Sequence, residues 1–132
     1  IAEELGGIAV TGLERSPFAQ GEFDAAIDAV GAEATRRGAV RAVRAGGRVV
    51  FTGLHEAESR LPINDMIRDE IAAIGAFTYT EQDFATAMSW IAQGRANLLP
   101  WTVHAPLEEG AACFDKLIEG PGKVAKILLT LE

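Results

Sequence analysis

Two apolar runs decide what this chain can fold into. Residues 23–28 read "FDAAID", and residues 48–52 read "RVVFT". The second is β-branched and continuous rather than alternating, as in a strand covered on both faces. Between them, "AEATRRGAVRAVR" sets Ala39, Val40 and Val43 at helical spacing. A strand, a helix and a strand with such short connections make a crossover, which forces the two strands to run parallel. The expected class is therefore α/β, of the doubly wound kind in its first half.

The remaining elements follow from local signals. Residues 1–5 read as a helix end stopped by Gly6 and Gly7. "IAVT" reads as a short strand, and "GLERSPFAQGE" as a loop punctuated by Gly and Pro. Gly46 and Gly47 read as the stop of the helix before "RVVFT". "GLHEAESRLPINDMIRDE" is a polar loop with room for one helical turn, and "IAAIGAFTY" is the next strand. Thr80 is a predicted N-cap, with Asp83 three residues on. Phe84, Ala87, Met88 and Ile91 then share one helical face, and Gly94 ends that helix. "WTVHA" is a short extended piece. Pro106 opens a helix, where its missing N–H costs nothing. Leu107, Ala111, Phe114 and Leu117 line one side of it, Gly120 stops it, and "KVAKILLTL" closes the chain as a strand. From about residue 80 the pattern departs from a simple βαβ repeat.

Composition narrows the function. The 132 residues suffice for one domain with a core. A net charge of −7 with scattered Lys and Arg argues against a nucleic-acid partner. The densest basic set, Arg36, Arg37, Arg41, Arg44 and Arg48, reads as a solvated helix face. No uncharged apolar run reaches the roughly 18 residues of a membrane span, so no membrane partner is expected. The opening residues lack the basic flank and apolar core of a secretory signal, and a cytoplasmic location is expected. The sequence starts at Ile1 without Met, so a longer natural chain is expected. Cys113 stands alone in "AACFDKL" and reads as a small buried core residue. His55 and His104 have no ligand spacing, so no metal site is expected within the chain. The charged loop after "RVVFT" reads as solvated, and Ser16 and Ser59 lie in no nucleophile motif. No residue is assigned a catalytic role.

The glycines raise the one question of chemistry. "GGRVVFTG" is followed by no Gly-Lys-Ser/Thr, and its glycines precede a strand rather than follow one. It is therefore neither a phosphate loop nor a dinucleotide fingerprint. Gly31, Gly53 and Gly75 fall at or near the carboxyl ends of strands, where open α/β sheets place ligands. The pattern leaves two readings open: close backbone approach to a ligand, or ordinary turn glycines.

The ordered series "FDAAIDAVG", "VRAGGRVVFTGL", "LPIND", "RDEIAAIGAFTYT", "DFATAMSWIAQGR", "PLEEGAACFDKLIEG" and "GKVAKILL" resembles the C-terminal portion of the zinc-type medium-chain dehydrogenase/reductases. It is similar to the alcohol, sorbitol and threonine dehydrogenases in particular. The resemblance implies a partial Rossmann-type parallel sheet, strands three to six of the family order, followed by a helix and strand of the catalytic domain. Residues 1–94 would be the second half of the NAD(P)-binding domain, and residues 95–132 the return to the catalytic domain. It implies hydride transfer between NAD or NADP and an alcohol or carbonyl, within a longer parent enzyme. It implies cofactor contacts from Ala29, Val30 and Gly31, from Thr52, Gly53 and Leu54, from Ala76, Phe77 and Thr78, and from Lys126 toward the pyrophosphate. The family's zinc ligands, proton relay and glycine fingerprint have no counterpart here, so the chain alone is expected to be inactive. The absent early strands would leave an exposed edge on "FDAAID". A homodimer through residues 70–78 is also implied. The competing reading is a non-catalytic Rossmann half for dimerisation or nucleotide sensing.

Overall fold

A computed structural model of the chain describes residues 1–10 and 20–131. It divides into two compact units, Ala9–Thr78 and a second formed by Ile1–Ile8 with Tyr79–Glu132.

The first unit is built on the predicted crossover. Strand β1 (Phe23–Asp28), helix α1 (Glu33–Ala42) and strand β2 (Val43–Phe51) are followed by the one-and-a-half-turn helix α2 (Ile63–Arg68) and strand β3 (Ala72–Gly75). The strands lie in the order β1-β2-β3, all parallel. At the start of α1, Ala32 N–H donates to Thr35 Oγ1, and the Thr35 hydroxyl lies within reach of both the Ala32 carbonyl and the Asp28 carboxylate. Glu33 in the first turn and Arg41 in the last suit the helix dipole. The core consists of Ala39 and Val40 from α1 with Val43 and Val49 from β2, flanked by Ala26, Phe51, Leu61, Met66 and Ile71. Val40 and Val49 are essentially solvent-free. Each contributes about 1.5–3 kcal/mol by leaving water. The opposite sheet face is open. Ile27, Val50 and Ile74 share one row across the three strands, and Ile27 remains 70% exposed.

Two expectations change in this unit. Gly46 and Gly47 do not stop the helix, because α1 ends at Ala42 and both glycines lie inside β2. Phe23 pairs with Val43, yet Ala25 pairs with Arg48, so β2 bulges between these partners. Gly46 takes φ +71 in the bulge and donates its N–H to the Asp69 carbonyl at 2.7 Å. A Cβ on Gly47 would stand 2.7 Å from the Arg44 carbonyl oxygen. The glycines serve the bulge, which only the partner strand defines. Secondly, Ile8–Val10 of the "IAVT" run carry no strand, and Thr11 lies outside the described residues. The sheet thus holds three of the four expected strands among the described residues, with β1 at its edge as anticipated.

The second unit holds helix α3 (Glu81–Ala92), strand β4 (Thr102–Pro106), helix α4 (Gly110–Glu119) and strand β5 (Lys126–Thr130). The Thr80 cap forms as predicted. Its hydroxyl oxygen accepts from Asp83 N–H, while the Asp83 carboxylate accepts from Thr80 N–H at 2.9 Å. These Thr80 contacts lower the Asp83 pKa. Strands β4 and β5 pair in parallel across α4, so the tail contains a second, small βαβ unit. The sequence pattern hid it because β4 has five residues and Pro106 both ends the strand and caps the following 3-10 turn. Trp101 and Ala105 are buried, whereas α3 and α4 carry no buried residue. Cys113 is half-buried rather than a core residue. The Glu4 carboxylate accepts from Trp101 Nε1 at 3.1 Å and pairs with Lys123, contacts that lower its pKa.

Candidate functional site

In a parallel sheet the registered strand ends meet at one edge. Asp28 pairs with Phe51 and Phe51 with Gly75. The segments that follow, residues 29–31, 52–54 and 76–78, therefore leave the sheet side by side at its carboxyl edge. Nine of the ten expected cofactor residues lie there: Ala29, Val30, Gly31, Thr52, Gly53, Leu54, Ala76, Phe77 and Thr78. The tenth, Lys126, is the exposed first residue of β5 in the other unit, paired with Thr102.

Within this edge the residues differ in what they can do. Val30, Leu54 and Phe77 are exposed apolar side chains, Leu54 and Phe77 at 75% and 77%. Thr78 holds φ +53, a left-handed conformation costly for a β-branched residue, and it turns the chain sharply after β3. Ala76 N–H is already given to the Phe51 carbonyl at 3.0 Å. Gly31 and Gly53 are buried against each other. A Cβ on Gly31 would lie 2.2 Å from the Gly53 carbonyl carbon, and one on Gly53 would lie 2.2 Å from Gly31 N. Their close approach is thus to one another. Gly75 has open space around a Cβ and no such constraint.

The organising residue of the edge is Asp28, which the sequence reading passed over. It is 4% exposed at the last position of β1. Its carboxylate accepts from Val30 N–H at 3.3 Å and from Gly31 N–H at 3.0 Å, shaping the turn. Its carbonyl accepts from Thr52 N–H at 2.9 Å and Gly53 N–H at 3.1 Å, tying the exit of β2 to that of β1. Burial pushes the carboxyl pKa up. The Thr35 hydroxyl, the Gly31 and Val30 N–H groups and the Arg36 guanidinium outweigh it, and the group sits below its ordinary 3.8. A lone acid ending an apolar strand before a glycine was the available signal.

Arg36 is the second omission. It does not belong to a solvated helix face. Its side chain is 13% exposed and lies 3.9 Å from the Asp28 carboxylate. The charged loop after β2 is likewise fastened. Glu56 Oε2 accepts from Glu33 N–H at 2.7 Å, so the first turn of α1 already holds a carboxylate. His55 is exposed in this loop, and His104 lies in β4 opposite Leu128. Among the described residues no group of three His, Cys, Asp or Glu side chains could hold a metal ion. A zinc ion therefore has no fit to the side chains described.

The family model described as zinc-binding dehydrogenase matches residues 9–93. Sorbitol dehydrogenase 1 of Saccharomyces cerevisiae is 28% identical over 107 residues, covering 80% of this chain and 30% of that protein. The chain thus spans under a third of that curated relative. Among solved structures, the alcohol dehydrogenase TADH from Thermus sp. ATN1 superposes with a TM-score of 0.84 at 22% identity, over 98% of this chain and 40% of that one. Acetophenone reductase from Geotrichum candidum NBRC 4597, solved in complex with NAD, gives 0.70 at 24% identity, over 83% and 32%. At these identities the structural matches establish a shared α/β fold of the Rossmann type.

Proposed function

The chain belongs to the zinc-binding dehydrogenase family, and from that premise we propose that it supplies the nicotinamide side of a cofactor cleft in an oxidoreductase. The parent enzyme transfers a hydride between NAD or NADP and an alcohol or carbonyl substrate. Residues 1–94 serve the nucleotide domain and residues 95–132 the catalytic domain. The observation that carries this reading is the register of β1, β2 and β3, which brings three strand exits together at one edge.

The residues present suit the nicotinamide end. The bound cofactor supplies the hydride-carrying ring. Val30, Leu54 and Phe77 offer apolar surface to that ring and exclude water beside it. Ala76 has spent its N–H on Phe51, so it can only accept from the carboxamide, while Phe77 and Thr78 can donate. Gly31 and Gly53 act by shape, since each is buried by the other. Lys126 offsets pyrophosphate charge. No step is assigned to zinc.

The exposed Ile27 and Ile74, in one row with the half-buried Val50, support cover of this sheet face by further protein, because parallel sheets are covered on both faces. Among the described residues no strand pairs with the outer edge of β3, and this supports homodimerisation through residues 70–78. No described helix is long and apolar enough to cross a membrane. A cytoplasmic enzyme with no nucleic-acid or membrane partner completes the proposal.

Titration of the isotope-labelled chain with millimolar NAD tests it. Amide perturbations confined to residues 29–31, 52–54 and 76–78 are expected, with weak affinity and no turnover. Perturbations elsewhere, or none, would sink the reading. The second reading, a dimerisation module, rests on the same β3 edge. A stable dimer that dissociates in Ile74→Lys, with no response to NAD, would favour it.

A further inference from the structure

Arg36 touches three separate pieces of backbone architecture at once. Its guanidinium donates to the Gly53 carbonyl at 3.2 Å and to Ser59 Oγ at 2.7 Å, and it lies 3.9 Å from the buried Asp28 carboxylate. Asp28 belongs to the end of β1, Gly53 to the exit of β2, and Ser59 to the loop beyond. Besides the Glu33 N–H bond to Glu56 Oε2, two further clasps join that loop to the start of α1. Glu56 N–H donates to the Gly31 carbonyl at 2.9 Å, and Arg60 N–H donates to the Glu33 carboxylate at 2.9 Å. Residues 53–60 carry no helix or strand. Their conformation therefore rests on these contacts, and among the described residues Arg36 is the one whose side chain hydrogen-bonds both ends of the loop.

We infer that Arg36 is a positioning residue: by gripping Gly53 and Ser59 together it fixes the loop over residues 53–60, and so sets where Leu54 and His55 stand at the carboxyl edge of the sheet. A planar fork suits this task, since its separate N–H groups reach separate acceptors from one rigid plane. A lysine in its place would carry the charge toward Asp28 without spanning both loop acceptors. The link to the cofactor rests on the function proposed above; the grip on the loop does not.

Hydrogen exchange on the 132-residue chain separates the two. In Arg36→Met, the amides of Glu56 and Arg60 are expected to exchange at least tenfold faster, while the strand amides of Val49 and Val50 keep their rates. Ser59→Ala, which leaves Asp28 paired, should speed Arg60 by a smaller factor and serves if Arg36→Met fails to fold. Arg36→Lys should keep the strand rates and still leave the loop fast. Unchanged loop exchange in both Arg36→Met and Ser59→Ala would overturn the inference. Loop acceleration that merely tracks acceleration of Val49 would overturn it equally. With millimolar NAD present, protection of Leu54 should be lost in Arg36→Met. If NAD protects nothing in the parent chain while the loop responds to Arg36→Met, the positioning role stands and the cofactor reading falls.

Discussion

The unit spanning Ala9–Thr78 and the unit containing Tyr79–Glu132 use the same motif to different ends. Both pair parallel strands across a helix. In the first, α1 buries Ala39 and Val40 against Val43 and Val49, and even an aspartate is drawn inside. In the second, α3 and α4 carry no fully buried residue. Phe84, Met88 and Ile91 stand about half exposed along one face of α3, and Phe114 and Ile118 are 66% and 80% exposed on α4. The same sequence signal, an apolar stripe at helical spacing, therefore has two outcomes. A stripe predicts a face that wants cover; whether the chain itself supplies the cover depends on partners the periodicity does not name.

Substitutions can break or sharpen this contrast. The largest effect is expected at Gly31. With a Cβ placed 2.2 Å from the Gly53 carbonyl carbon and φ at +86, Gly31→Ala must push two strand exits apart, costing about 4 kcal/mol or more by overpacking and backbone strain. Thermal unfolding of the variant measures it; a melting point near the parent's would refute the close approach. Next comes Asp28. Asp28→Asn replaces a buried charge-assisted acceptor and should cost about 2 kcal/mol. Its pH dependence has a definite sign. The folded pKa is lowered, so the ionised carboxylate stabilises the fold above its ordinary 3.8, and that contribution is lost as pH falls from there through the lower folded pKa. Denaturant midpoints recorded between pH 3 and 7 should therefore fall less steeply on acidification in Asp28→Asn than in the parent.

Val40→Ala, at 2% exposure, should lose about 2 kcal/mol through removed burial and a residual cavity. In the second unit the corresponding losses shrink. Thr80→Ala removes an N-cap that satisfies Asp83 N–H and should cost about 1 kcal/mol, seen as reduced helical circular dichroism on mild heating. Ile118→Lys should be the smallest, within about 0.5 kcal/mol, because the side chain has little burial to lose. A large loss there would mean that α4 is covered in solution, and the contrast between the units would close.

Much of the fold was legible because its determinants are local in sequence. The β1–α1–β2 crossover announced itself through two apolar runs and the spacing of Ala39, Val40 and Val43, and the Thr80 cap through its hydroxyl and the acid three residues on. The bulge in β2 was not legible, because a bulge is a mismatch between two strands and exists only once Phe23 and Ala25 have found Val43 and Arg48. The residues expected at the cofactor edge were chosen by resemblance, and the register then drew nine of them to one side of the sheet. Asp28 and Arg36 were missed for one reason. A charge in a sequence is normally a solvated charge, and their burial follows from each other and from Thr35, Gly53 and Ser59, which come from three different segments.

The contact between Gly31 and Gly53 carries a consequence for how such a protein can vary. Most tight contacts admit compensation, since a residue that grows on one side can be answered by one that shrinks on the other. Here both sides are already the smallest residue there is. A genetic screen for second-site suppressors of Gly31→Ala should never return position 53. Rescue must come from changes that let one of the two loops withdraw as a whole.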